Sequence, residues 1–347
     1  MRIHKRLRRI GVALAATAVL AGVAACGSDT DSDTTAETTV AAEGQFPVTV
    51  SGKFGEVTVE AEPTRALPLS PQDADILLSL GVTPIALPVD AQNLAATNGT
   101  GVWPWEAEAL GGDVPPLLDM DAGATVIAEK IAALQPDIIV STGFWGLEEN
   151  TYGQLSEQFP VVHFDVRANG EPWQDSTRKV AAALGIPEKA EEVIEQAEVD
   201  LAAATEQYPA LEGATYNAII GDTGGQLSVL ASDDRGIGQF LSSLGLELSE
   251  YATTLPVDAD GRGVLSYEQI SQLDADLLVV VSPTGDLGYL TKFEAWNRLP
   301  AVERGAVVSL ARNTGIPNAV GFPSSLSLKW ATDEVAPMLA DAAAKSE

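Results

Sequence analysis

The sequence predicts an α/β protein built as two α/β lobes joined by a long, rigid helix. Three observations carry this expectation. The first is a phrase stated twice, EKIAALQPDIIVS at 129–141 and EQISQLDADLLVV at 268–280, at an offset of 139 residues. Each copy reads as a helix feeding a strand. Ile131 and Leu134, like Ile270 and Leu273, fall three residues apart on one helical face. The apolar runs 138–140 and 277–281 suit parallel strands buried on both sides. The second observation is length: 347 residues suffice for two domains with sizeable cores. The third is the stretch 187–208, where Ala190, Val193, Ile194, Ala197, Leu201 and Ala204 share one face. About 22 helical residues span roughly 33 Å, long enough to cross a domain boundary.

Charge narrows the function. The chain holds 49 Asp and Glu against 20 Lys and Arg, a formal charge of −29. Five of the basic groups lie within the first nine residues, leaving 15 against 49, a balance of −34. Such a surface repels nucleic acid and anionic lipid headgroups. The basic start and the apolar run 10–25 read as an export signal, too short and Ala-rich for a permanent span. That run ends Val23-Ala24-Ala25-Cys26, which resembles a bacterial lipobox. The resemblance implies removal of residues 1–25 and lipidation of Cys26. Cys26 is the only cysteine, so no intrachain disulfide forms. Residues 26–45 are rich in Ser, Thr, Asp, Ala and Glu and read as a disordered tether.

Folded structure is expected from Phe46. Alternation around Gly52 and Gly55 predicts a hairpin over 48–60. A short buried strand at 66–69 precedes a helix started by Ser70-Pro71 and stopped by Gly81. A strand at 84–87, a long loop at 88–118 carrying Trp103-Pro104-Trp105, and the first phrase follow. A loop at 141–151 with Phe144 and Trp145, a helix from Tyr152 and a strand at 161–164 complete an N-terminal lobe, 46–170. A helical linker, 171–210, holds one helix ended by Gly185 and then the long helix. The C-terminal lobe, 211–347, has strands at 216–220, 227–230 and 307–310 and a helix at 237–244. Ser266 and Gln269 form a capping box for the second phrase; Thr125 is the candidate cap for the first, where the position equivalent to Ser266 is Ile127. Residues 282–291 and 311–323 read as loops, and 324–339 as a closing helix interrupted or ending near Pro337.

This order of segments resembles the ABC-transporter solute-binding proteins of the iron–siderophore and cobalamin type. It is carried by residues 63–87, 129–140, 152–165, 266–280 and 296–310, behind the lipobox. The resemblance implies a ligand cleft between the two lobes, with a long helix allowing only small closure. It also implies that Glu129 and Glu268, which lead the two phrases, face a two-fold ABC permease, one from each lobe.

Catalysis is hard to build from this sequence. Residues after the leader include one histidine, His163, inside an apolar run, where packing is the simpler reading. No nucleophile elbow, phosphate loop or zinc-protease motif occurs. The expectation is therefore no enzyme, no resident metal and no cofactor. The expected ligand is a ferric siderophore, with cobalamin or haem as alternatives on the same fold and a non-transport sensor or scaffold as another class. Loops after strand C-termini should line the cleft. They hold Trp103, Trp105, Trp145, Arg235, Tyr289 and Arg312, aromatic faces for the organic shell and guanidinium or phenol groups for chelate oxygens. The acidic composition favours a neutral or cationic chelate, such as a hydroxamate, over a polyanion such as ferric citrate.

Overall fold

The computed structural model describes residues 44–120, 124–258 and 260–346. The export signal, Cys26 and all of the tether before Gly44 lie outside the described residues. No helix among the described residues is long and apolar enough to cross a membrane.

The chain opens with an antiparallel hairpin, β1 (Val48–Gly52) and β2 (Gly55–Val59), whose alternate valines point inward. Strand β3 (Ala66–Pro68) leads to helix α1 (Pro71–Ser79). Ser70 caps α1 by accepting from the Asp73 amide at 3.1 Å. β4 spans Leu87–Val89, three residues later than the sequence places it. The 88–118 loop is not a single loop. It contains helix α2 (Pro104–Leu110) and ends in β5 (Leu117–Asp119). Pro104 occupies the first helical position, where its missing N–H costs nothing, and the Glu106 carboxylate takes the Trp103 N–H at 2.8 Å. α3 (Ala124–Leu134) starts before Thr125, which therefore stands inside its first turn rather than capping it. It is followed by β6 (Ile138–Ser141), α4 (Glu149–Ser156) and β7 (Val161–His163). β3, β6 and β7 form a parallel sheet in the order β3-β6-β7, and β4 pairs with β5 in parallel.

Helices α5 (Trp173–Ala183) and α6 (Pro187–Gln207) come next. The 21 residues of α6 bury Ala190, Ile194, Ala197, Leu201 and Ala204, while Val193 stays partly exposed. A second sheet follows: β8 (Thr215–Thr223), β9 (Gln226–Leu230), β10 (Glu247–Leu248), β11 (Arg262–Ser266), β12 (Leu277–Ser282) and β13 (Val307–Ala311). Its order is β11-β9-β8-β12-β13, with β10 on β8; the pairs through β12 are parallel and those through β9 antiparallel. α7 (Gly236–Ser243) covers it, and α8 (Ile316–Gly321) and α9 (Ser325–Ala343) close the chain.

Both doubled phrases deliver a fully buried strand, β6 and β12. Their helices differ. The second is a 3-10 turn, Tyr267–Gln272, and not an α-helix. Its capping box is present: Gln269 Oε1 accepts from the Ser266 hydroxyl at 3.0 Å and its amide at 3.4 Å. α9 runs through Pro337 to Ala343 because Ala336, Leu339, Ala342 and Ala343 are buried around the lost hydrogen bond. The main hydrophobic cluster includes Val50 and Ile138 before α6, Ile194 and Leu201 on it, and Val279 and Leu339 after it. This cluster thus reaches into both lobes, and a second one, with Leu67, Ile131, Ile139, Leu155 and Val161, lies within the first lobe alone.

Candidate ligand-binding cleft

The cleft is assembled from strand ends and helix starts of both lobes. Its volume is ≈ 580 Å³. Ser70, Gln72 and Asp75 come from the start of α1, Trp103 and Trp105 from the start of α2, and Phe144 and Trp145 from the turn after β6. Arg312 and Asn313 follow β13, and Asn318 and Phe322 come from α8 and its end. A side chamber of ≈ 130 Å³ shares Trp145, Asn169 and Arg312 with it and adds Arg167, Arg235, Asp260 and Arg262.

The floor is a polar seam beneath stacked indoles. Trp103 and Trp105 lie parallel at 5.1 Å, and Trp105 meets Trp330 of α9 at 5.0 Å. Both indoles are almost wholly buried, so each offers the cleft an edge or a part of a face. Trp105 Nε1 donates to both oxygens of Asp75 at 2.9 Å. Asp75 also accepts from the Ser324 hydroxyl at 2.8 Å, and the Gln72 amide donates to the Pro323 carbonyl at 3.0 Å. These bonds tie α1 of the first lobe to the start of α9 in the second. Neighbouring Asp73 takes both the amide and hydroxyl of Thr142 at 2.7 Å and the Gly143 amide at 3.1 Å, which fixes the turn carrying Phe144 and Trp145. Gly315, at φ +82°, lets the second lobe's chain lie against Trp103; a Cβ there would stand 3.3 Å from the ring.

Burial sets the titration of this seam. It raises the Asp75 carboxyl to about 7 against the pull of its two donors, with the Asp73 charge a smaller push in the same direction. Burial first, and Asp75 second, holds Glu106 well above the carboxylate range. Burial also raises Asp73 despite its donors.

The six cleft residues expected from sequence are placed unequally. Trp103, Trp105, Trp145 and Arg312 line the main cleft, and Arg235 lines the side chamber. Trp145 is 55% exposed at the rim, with the Arg167 guanidinium 5.8 Å from its ring. Arg235 is paired with Asp234 at 2.8 Å. Arg312 is exposed at the cleft and donates to the Ile220 carbonyl at 3.2 Å. Tyr289 is not brought to the cleft; it lies on a one-turn helix, Gly288–Thr291, its phenol raised by burial and then by Asp222. Sequence reasoning missed Arg167, Arg262, Asn169 and the Asp75 seam. Arg167 reaches Asp260 of the other lobe at 2.6 Å. His163 is a packing residue. Its Nδ1 meets the Val161 carbonyl at 2.9 Å, its Nε2 accepts from the Phe54 amide at 2.9 Å, and burial lowers its pKa.

A cleft between two α/β lobes on one helical spine is the architecture of a solute-binding protein. The chain belongs to the periplasmic binding protein family, whose model matches residues 69–314, as the segment order led one to expect. It is 24% identical over 305 residues to the Bacillus subtilis protein YhfQ, which carries the name of an ABC transporter substrate-binding lipoprotein; the match covers 80% of this chain and 87% of that one. It is 23% identical over 313 residues to the iron(3+)-hydroxamate-binding protein FhuD of the same organism, covering 87% and 90%. The fold is similar to that of Streptococcus pneumoniae PiaA in complex with ferrichrome, with TM-score 0.74 and 22% identity, covering 86% of this chain and all of that one.

Proposed function

We propose that this protein captures a ferric siderophore outside the cell and delivers it to an ABC importer. The cleft carries the reading. A volume of ≈ 580 Å³ lies in the range for a small organic ligand, and its walls combine aromatic faces with guanidinium donors. That combination suits a chelate whose iron is already saturated by its own oxygens. The names of FhuD and of the ferrichrome complex of PiaA support the same class of ligand.

On this reading Trp103, Trp105, Trp145, Arg235 and Arg312 contact the chelate, and no bond is made or broken. Glu129 and Glu268, both exposed, dock on the two halves of the permease. Cys26 carries the lipid anchor, a role supported by the lipoprotein name of YhfQ. The lobes divide at 46–170 and 211–347 around the helical linker 171–210, where the first sheet gives way to the second. The reading is tested by titrating tryptophan fluorescence with ferric siderophores, haem and cobalamin. Saturable quenching by a ferric siderophore is expected; quenching by cobalamin or haem alone would transfer the protein to that ligand.

A further inference from the structure

The side chamber concentrates positive charge in a chain that has little of it. Arg167, Arg235, Arg262 and Arg312 all line it, half of the eight arginines beyond the leader. Two of them have carboxylate partners: Asp260 for Arg167 at 2.6 Å and Asp234 for Arg235 at 2.8 Å. Among the described residues, the guanidiniums of Arg262 and Arg312 pair with no carboxylate. Arg312 donates to the Ile220 carbonyl. The nearby Asp258 carboxylate is taken by the backbone amides of Asp260 and Arg262, at 2.8 and 2.9 Å. Four guanidiniums thus stand against the two paired carboxylates and the Asp258 charge beside Arg262, which leaves a net positive charge with Arg312 unneutralised. Burial, and after it the Arg262 charge, pulls the Arg312 guanidinium below its ordinary pKa.

Supply does not explain this. The chain carries 49 acidic side chains; outside the chamber Arg178 and Arg298 pair with carboxylates, while Arg65 and Arg304 each bond two backbone carbonyls. Two like charges held close at a cavity wall repel each other unless something else neutralises them. A guanidinium fork fits paired oxygens on one planar or chelating group. We propose that the chamber receives an anionic oxygen group of the ligand, so that the chelate selected is a negatively charged one, catecholate or carboxylate, in preference to a neutral hydroxamate. The inference rests on the siderophore reading and names the charge class of its ligand. It reverses the expectation drawn from net charge. The acidic surface is screened beyond about 8 Å at physiological ionic strength, whereas the chamber acts at contact distance.

The test titrates the folded chain with three probes: ferric citrate, the ferric complex of a tricatechol, and ferrichrome. At least one anionic chelate should bind more than about tenfold tighter than ferrichrome at low salt, with the gap narrowing as salt is added. In Arg262→Gln and Arg312→Gln, each checked for an unchanged thermal transition, that ratio should fall toward one. Preference between citrate and tricatechol identifies the source of the anionic oxygens. Tighter or equal binding of ferrichrome, or an equal loss for all three probes in both variants, overturns the inference and leaves the siderophore reading standing. Saturation by none of the three overturns the siderophore reading itself, and this inference with it.

Discussion

Ser324 donates its hydroxyl to Asp75 Oδ2 at 2.8 Å, joining the capped start of α9 to α1 across 249 residues of sequence. The bond lies in the floor of the cleft, where Trp105 donates to the same carboxylate. Its strength depends on the charge of Asp75.

Asp75 has a folded pKa of about 7, raised from 3.8 mainly by burial. A carboxyl with a raised folded pKa favours the protonated fold. Its contribution is fully present below the unfolded pKa and is lost as pH rises through the folded one. The thermal midpoint should therefore fall between about pH 4 and pH 7 by more in the native chain than in Asp75→Asn. Parallel pH profiles for the two proteins would remove Asp75 from this role.

The two kinds of cleft tryptophan should separate by readout. Trp105→Ala removes a buried indole and one donor to Asp75, and should cost about 3–5 kcal/mol in chemical denaturation. Trp145→Ala, at the exposed rim, should change stability by less than about 0.5 kcal/mol and weaken chelate binding. Trp145→Ala with unaltered affinity would make that residue scaffold.

Charge reversal at the proposed docking face should uncouple transport from capture. Glu129→Lys with Glu268→Lys is expected to abolish iron uptake in cells while the purified protein keeps its chelate affinity. Uptake at the native rate would end the docking assignment.

Gly52 sits against the imidazole of His163, and a Cβ there would stand 2.6 Å from Nε2. Gly52→Ala should cost about 1–3 kcal/mol through overpacking, read as a lowered denaturation midpoint. It should leave ligand affinity unchanged, since the hairpin contributes nothing to the cleft walls.

Cys26→Ser should move the protein from the membrane fraction to the medium or periplasm without changing binding. Retention on the membrane would point to an anchor other than the lipid.

Elements with a strong period were legible in the sequence. α6 shows five buried positions at helical spacing, and β6 and β12 are continuous apolar runs. The tryptophans at 103 and 105 were legible as cleft residues but not as helix residues. Pro104 reads equally as a loop marker and as a first helical position, and Glu106, which backs the helix, is one carboxylate among 49. Tyr289 failed because the rule that loops after parallel strands line a cleft says nothing of which way a loop turns. Arg262 was hidden for a different reason: β11 reaches the chamber only through its pairing with β9, where Arg262 stands opposite Leu230. Asp75 looked like an ordinary helical carboxylate, since burial depends on α2 and α9, which arrive from 30 and 249 residues away.

The core that runs from the first sheet through α6 to α9 has a thermodynamic corollary. Packing is shared between the two walls of the cleft, so a loss on one side of α6 weakens the other, although the first lobe also keeps a cluster of its own. A cavity opened beside α6 is felt on both walls at once, and a chelate gripped from both sides steadies the whole molecule. Capture and folding draw on the same contacts.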